Sequence, residues 1–125
     1  MATFKISEKL KNHQIRARKS LGQNFIYDEN ILRKIVKFAG DISVGQVLEI
    51  GPGPGGLTQA ILEAGAAKVV AVEKDRRFSP ILNELRVLFP NRLSVLIEDA
   101  LELNLREMTA SPFKIIANLP YQIST

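Results

Sequence analysis

The order of apolar and polar positions divides the chain into short strands and amphipathic helices in alternation. Asp28 stands as an N-cap before a helical stretch. Ile31, Leu32, Ile35, Val36 and Phe38 are its expected buried stripe, and Gly40 is placed to end it. Asp41 to Gly45 reads as a turn, and Gln46 to Ile50 as a strand. Leu57, Ala60, Ile61 and Ala64 then recur at helical spacing, and Gly65 closes that helix. Lys68 to Glu73 is a nearly continuous apolar run ending in an acid, the pattern of a strand buried on both faces. Ile81, Leu82, Leu85, Leu88 and Phe89 mark a further helix, with Pro80 suited to its first turn. Leu93 to Ile97 reads as a third strand, ending at Glu98-Asp99-Ala100. A weakly helical link with Leu101, Leu103, Leu105 and Met108 leads to a fourth strand, Phe113 to Ala117. Asn118-Leu119-Pro120-Tyr121 comes directly after it.

Strands that alternate with helices predict an α/β protein built on a parallel sheet. Right-handed crossovers then bring all strand C-terminal ends to one edge, where open α/β sheets bind ligands. Each predicted strand ends in a polar or glycine-rich signal: Gly51 to Gly56, Glu73, Asp99, and Asn118 to Tyr121.

Four glycines and two prolines fill positions 51 to 56, which excludes a helix or strand interior. The stretch is a tight turn that opens a helix N-terminus. Gly51-x-Gly53-x-x-Gly56 fits a dinucleotide fingerprint, and Glu73 lies where a ribose-binding acid is expected. Nicotinamide dinucleotides and S-adenosylmethionine both satisfy this pattern. Pro52 and Pro54 remove two N–H donors from the turn, which disfavours a pyrophosphate. Asp99 is suited to accept a hydrogen bond from an adenine amine, or simply to cap a helix. Glu49 reads as structural, holding N–H groups of the turn.

Asn118 to Tyr121 suits a planar base with an exocyclic amine. The lone pair of such an amine is delocalised and poorly nucleophilic. The Asn118 side-chain oxygen and the Leu119 carbonyl can accept its two N–H bonds, favouring the tetrahedral nitrogen that attacks an activated methyl group. Pro120 shapes the turn, and Tyr121 can stack on the base. The competing reading is an ordinary turn with a half-buried tyrosine. A base inside a duplex cannot reach such a pocket, so it must be unpaired or flipped out.

Composition and charge narrow the picture. The chain has 125 residues, 46% hydrophobic and 24% charged, enough for one globular domain. It has no cysteine, which excludes disulfides and thiolate metal sites; no metal is expected, and His13, its one histidine, receives no chemistry. No apolar run reaches the ~18 residues of a membrane span, so a soluble, cytoplasmic protein is expected. The net charge is +4. Lys5, Lys9, Lys11, Arg16, Arg18 and Lys19 against Glu8 alone place +5 in residues 1–19, leaving −1 for the rest. Residues 1–20 thus read as a basic arm for a polyanion, with Lys11, Arg16, Arg18 and Lys19 as candidate RNA contacts; a solvated terminus is the plainer reading.

Arg18-Lys19-Ser20-Leu21-Gly22-Gln23-Asn24-Phe25, Glu49-Ile50-Gly51-Pro52-Gly53, Glu73-Lys74-Asp75, Asp99-Ala100 and Asn118-Leu119-Pro120-Tyr121 together resemble the ribosomal RNA adenine dimethyltransferases, in the family's order, from about residue 13 onward. The resemblance implies a Rossmann-like class I methyltransferase fold. It implies S-adenosylmethionine as cofactor and methyl transfer to N6 of two adjacent adenines of 16S rRNA in the small ribosomal subunit. The cofactor contacts it implies fall on Asn24, Ile26, Gly51, Glu73, Asp99 and Asn118, with Gly53 of the turn beside them. Gln23 to Ile26 is expected to fold over the methionine end. The related macrolide-resistance enzymes act on 23S rRNA and usually have isoleucine in the N-x-P-Y box; Leu119 and the Leu21-Gly22 pair favour the small-subunit type. The chain departs from the family by stopping at Thr125, after the fourth strand. Residues 21–125 are expected to be the N-terminal half of the methyltransferase domain, without its later strands and helical C-terminal domain. Such a piece is expected to fold poorly or associate, with little transfer activity, whereas the full-length protein is expected to be a monomer. A nicotinamide-dependent oxidoreductase and a non-catalytic RNA-binding module are the other readings.

Overall fold

The computed structural model describes residues 29–103 and 113–117. Helix α1 (Glu29–Phe38) leads into strand β1 (Gln46–Ile50), helix α2 (Gly56–Glu63) and strand β2 (Val69–Glu73). A 3-10 turn (Arg76–Phe78) runs straight into helix α3 (Ser79–Leu88). Strand β3 (Leu93–Ile97), a second 3-10 turn (Ala100–Glu102) and strand β4 (Phe113–Ala117) complete the order. The four strands form one sheet in the order β3-β2-β1-β4, and every neighbouring pair is parallel. The expected strand bounds agree with these to within one residue. Asp28, the expected cap of α1, lies outside the described residues.

Successive strand side chains point to opposite faces, and the burial obeys that alternation. Val47, Val69, Ala71 and Leu93 join one cluster with Leu32 and Val36 of α1, Leu57, Ile61 and Leu62 of α2, and Ile81, Leu82 and Leu85 of α3. Leu48, Val70 and Val72 form the other, packed by Ile50, Leu96, Ala100 and Leu103. β2 lies between two neighbours and is buried throughout, which is why it reads as an unbroken apolar run.

The expected stripe of α1 needs correcting. Ile31 is 48% exposed and Phe38 91% exposed. At 100° per residue Leu32 and Val36 fall close together and face the sheet. Ile31, Ile35 and Phe38 lie on an adjacent line, at the rim of the contact, and only Ile35 is half-buried there.

The sheet order places a switch point between β1 and β4. From β1 the chain moves outward through β2 to β3, then crosses to the other side of β1. At such a point the loops after the two central strands diverge and leave a crevice at their carboxyl ends. The register pairs Ile50 with Ala117 and Ile50 with Val72, so β1, β2 and β4 finish level.

Candidate functional site

The turn after β1 lies at this crevice. The Gly51 N–H still donates to the Val72 carbonyl at 2.9 Å, so the sheet continues one residue beyond β1. The chain then folds back, with the Gly55 N–H donating to the Pro52 carbonyl at 3.0 Å, and α2 begins. Gly53 has φ +55° and Gly55 φ +94°, both in the left-handed region. A Cβ on Gly55 would stand 3.1 Å from Leu85 Cδ2 and 3.3 Å from Leu82 Cδ2, so this glycine lets the turn press onto α3. A Cβ on Gly53 would meet no atom within 4 Å. That side of the turn is open.

Glu73 ends β2 beside that opening. It is 7% exposed. Its Oε1 accepts the Gly53 N–H at 2.8 Å, and its Oε2 accepts the Asp75 N–H at 2.9 Å. Burial raises its pKa above the ordinary carboxylate value, while the N–H donors of Asp75, Gly53 and Lys74 work in the opposite direction. The carboxylate therefore ties the glycine turn to β2, and each oxygen of a carboxylate offers about two acceptor sites.

Glu49 differs from its expected role. The carboxylate that accepts an N–H of the turn is that of Glu73, and Glu49 instead accepts the Thr58 hydroxyl of α2. Glu49 and Thr58 are both fully buried. Among the described residues Glu49 Oε2 has no hydrogen-bond partner. Burial pushes this carboxyl up to about 8, with the Thr58 hydroxyl pulling it down and the Glu73 charge adding to the rise. Glu49 is a neutral acid at pH 7, buried beneath the first turn of α2.

Asp99 stands after β3 on the same edge and caps the 3-10 turn, its Oδ1 accepting the Leu101 N–H at 3.0 Å. Capping uses one oxygen of a half-buried side chain. β4 brings the chain to the crevice at Ala117. Asn118, Leu119, Pro120 and Tyr121 lie outside the described residues. So do Asn24 and Ile26, and the arm residues Lys11, Arg16, Arg18 and Lys19. Of the expected site, the structure thus brings together Gly51, Gly53, Glu73 and Asp99. Two features escaped the sequence reading: the Glu49–Thr58 bond, and an Asp75–Arg77 pair directly after Glu73. An Asp just past a strand end can close an Asx turn onto the N–H two residues on, and that signal was present.

An open side over Gly53, a buried carboxylate with acceptor capacity beside it, and a turn lacking donors at Pro52 and Pro54 make a consistent set. They fit an adenosine whose 5′ substituent carries no phosphate better than one carrying a pyrophosphate. Among the described residues no cluster of His, Cys, Asp or Glu could hold a metal ion, and no helix is long and apolar enough to cross a membrane.

Comparison with known proteins decides between these cofactors. The profile of the ribosomal RNA adenine dimethylase family matches residues 14–125. The chain belongs to that family. A ribosomal RNA small subunit methyltransferase A from Paramagnetospirillum magneticum is 48% identical over 120 residues, covering 96% of this chain and 43% of that protein. One of the same name from Jannaschia sp. is 53% identical over 113 residues, covering 90% of this chain and 39% of its own length. The chain therefore spans about two fifths of the length of these relatives. Among solved structures, the 23S rRNA methyltransferase ErmE superposes with a TM-score of 0.70 at 30% identity, over 81% of this chain and 39% of that one. The sheet accordingly has the Rossmann-like methyltransferase fold, short of the full domain. The dimethylase family to which the chain belongs depends on S-adenosylmethionine.

Proposed function

We propose that this chain carries the cofactor half of an enzyme that transfers methyl groups from S-adenosylmethionine to N6 of adjacent adenines in 16S rRNA, within the small ribosomal subunit. The family match over residues 14–125 carries the reading. The identity of 48% to a small-subunit methyltransferase, against 30% to a 23S enzyme, favours the small-subunit substrate.

S-adenosylmethionine, when bound, supplies an electrophilic methyl group. The chain supplies position and polarity. Gly51 and Gly53 allow close backbone approach, and Glu73 accepts the ribose hydroxyls. Asp99 accepts the adenine amine with the oxygen not used in capping. Asn24 and Ile26 close over the methionine end. Asn118 and the Leu119 carbonyl accept the N–H bonds of the target amine, Pro120 holds the turn, and Tyr121 stacks on the unpaired base. The basic arm, residues 1–20, holds neighbouring phosphates through Lys11, Arg16, Arg18 and Lys19. Residues 21–125 form the cofactor-binding unit.

Two measurements test this. Calorimetry on the protein as the cell makes it should show binding of S-adenosylmethionine and none of NADH; the reverse result would overturn the cofactor assignment. Tritiated methyl transfer by the protein as the cell makes it, using ribosomal subunits that lack dimethyladenosine, should label 16S rRNA. Label in 23S rRNA instead would reassign the substrate.

A further inference from the structure

Glu73 ends β2, and the direction of its carboxylate depends on the loop that leaves the strand. Lys74 and Arg76 are exposed, whereas Arg77 folds inward, leaving 24% of its side chain exposed and 13% of that of Asp75. The Arg77 Nε donates to Asp75 Oδ1 at 3.1 Å and Oδ2 at 3.0 Å, and its Nη2 donates to Oδ2 at 2.8 Å. The Arg77 backbone N–H also donates to Oδ1, at 3.0 Å. The guanidinium lies 5.5 Å over the ring of Phe78, which is buried in the core at 1% exposure. Asp75 is thus held on both carboxylate oxygens by a group that is itself stacked on the core. Its own N–H is the donor to Glu73 Oε2 at 2.9 Å.

We propose that Arg77, acting through Asp75, is a positioning residue that fixes the Glu73 carboxylate for the ribose hydroxyls of the cofactor; this rests on the assignment of S-adenosylmethionine to the edge. A planar fork onto a carboxylate sets orientation as well as contact. Glu73 accepts backbone N–H groups from the glycine turn and from Asp75, and the Lys74 N–H adds to them. The Asp75 donor is secured by a side-chain pair. Without Arg77 the Asp75 carboxylate loses its guanidinium fork, so the Asp75 peptide and the Glu73 carboxylate that it orients are held less rigidly. A binding group held loosely by its supporting residues loses affinity although it is still present.

The test separates this from a general structural role. The protein as the cell makes it is titrated with S-adenosylhomocysteine and with its 2′,3′-dideoxyribose analogue. Arg77→Ala should weaken S-adenosylhomocysteine binding roughly tenfold, the scale of one misaligned charged hydrogen bond. The same variant should weaken binding of the dideoxy analogue less than about twofold, because both hydroxyls through which the effect acts are gone. Asp75→Asn should show the same selectivity. Arg77→Lys, which keeps the charge but not the fork, should behave like the alanine variant. Equal losses for both ligands, or no loss for either, would overturn the proposal. So would a wild-type protein that binds both ligands equally. If wild type binds neither, the cofactor assignment itself falls and the proposal with it.

Discussion

A carboxyl group sealed beneath α2 governs the pH response at the scale of single residues. Glu49 is held up to about 8, against an ordinary value of 4.5. A raised value means that its contribution is fully present below pH 4.5 and is lost as pH rises toward 8. Between those values the unfolded chain releases the proton and the folded chain keeps it. Wild-type stability should therefore fall across that window by something on the order of 3–5 kcal/mol. Glu49→Gln cannot ionise, so its stability should fall less over the same range, by only the part that other groups such as Glu73 contribute. Urea unfolding of both proteins at pH 5 and pH 8 checks this, and parallel pH curves would refute it. The two glycines of the turn give a second contrast. Gly55→Ala should cost roughly 2–4 kcal/mol, from its φ of +94° and its collision with Leu82 and Leu85. Gly53→Ala should cost only about 1–2 kcal/mol, for the left-handed conformation alone. Its methyl group would enter the open side of the turn, so it should lose S-adenosylmethionine affinity out of proportion to stability. Denaturant midpoints set beside calorimetry separate the two variants; equal loss of affinity per unit of lost stability would contradict the assignment.

At the scale of elements, the strands were legible because β1 to β3 are apolar runs bounded by Gly, Lys or Asn and by acids. Buried parallel strands need little else. Helix α1 was only half legible. Its apolar residues occupy two adjacent lines, and sequence alone does not say which line the sheet covers. That Gly53 and Glu73 meet at the strand ends was legible for a related reason, since glycine spacing and a terminal acid both carry a physical meaning. The ties between elements were not. Arg76 and Arg77 are equivalent in sequence, yet only Arg77 turns inward. Arg92 is another tie of this kind. Its Nη2 donates to the Leu62 and Ala66 carbonyls at 2.6 and 2.7 Å, and its Nε to Ala66 at 3.1 Å. Its guanidinium lies 5.3 Å over the Phe89 ring. The side chain reaches from the α3–β3 turn to satisfy carbonyls at the C-terminal end of α2. Arg92→Ala should cost about 1–3 kcal/mol, and Arg92→Lys should recover less than half of that, because one ammonium cannot reproduce the fork. Chemical unfolding of the three proteins measures it, and full rescue by lysine would show that charge alone matters.

For the whole molecule, the distribution of charge separates two kinds of binding. The body from residue 20 onward carries −1, whereas residues 1–19 carry +5. If the arm holds RNA phosphates, its contribution is counterion release, which depends on salt and not on sequence. The cofactor edge works differently. Its groups are a buried carboxylate and a donor-poor glycine turn, so its affinity should change little with ionic strength. The two functions should therefore come apart under one substitution set. Replacing Lys11, Arg16, Arg18 and Lys19 with Glu should leave the S-adenosylmethionine Kd unchanged. Binding to a 16S rRNA hairpin with unpaired adenines should weaken. The slope of log K against log salt should become shallower by roughly 3, since each phosphate no longer neutralised removes about 0.7–0.9. A titration across salt concentrations, with cofactor binding measured in parallel, reads both quantities from the same protein. An unchanged slope would remove the arm from the RNA interface and return it to a solvated terminus. A loss of cofactor affinity along with RNA affinity would mean that the arm packs against the edge that Gly53 and Glu73 define.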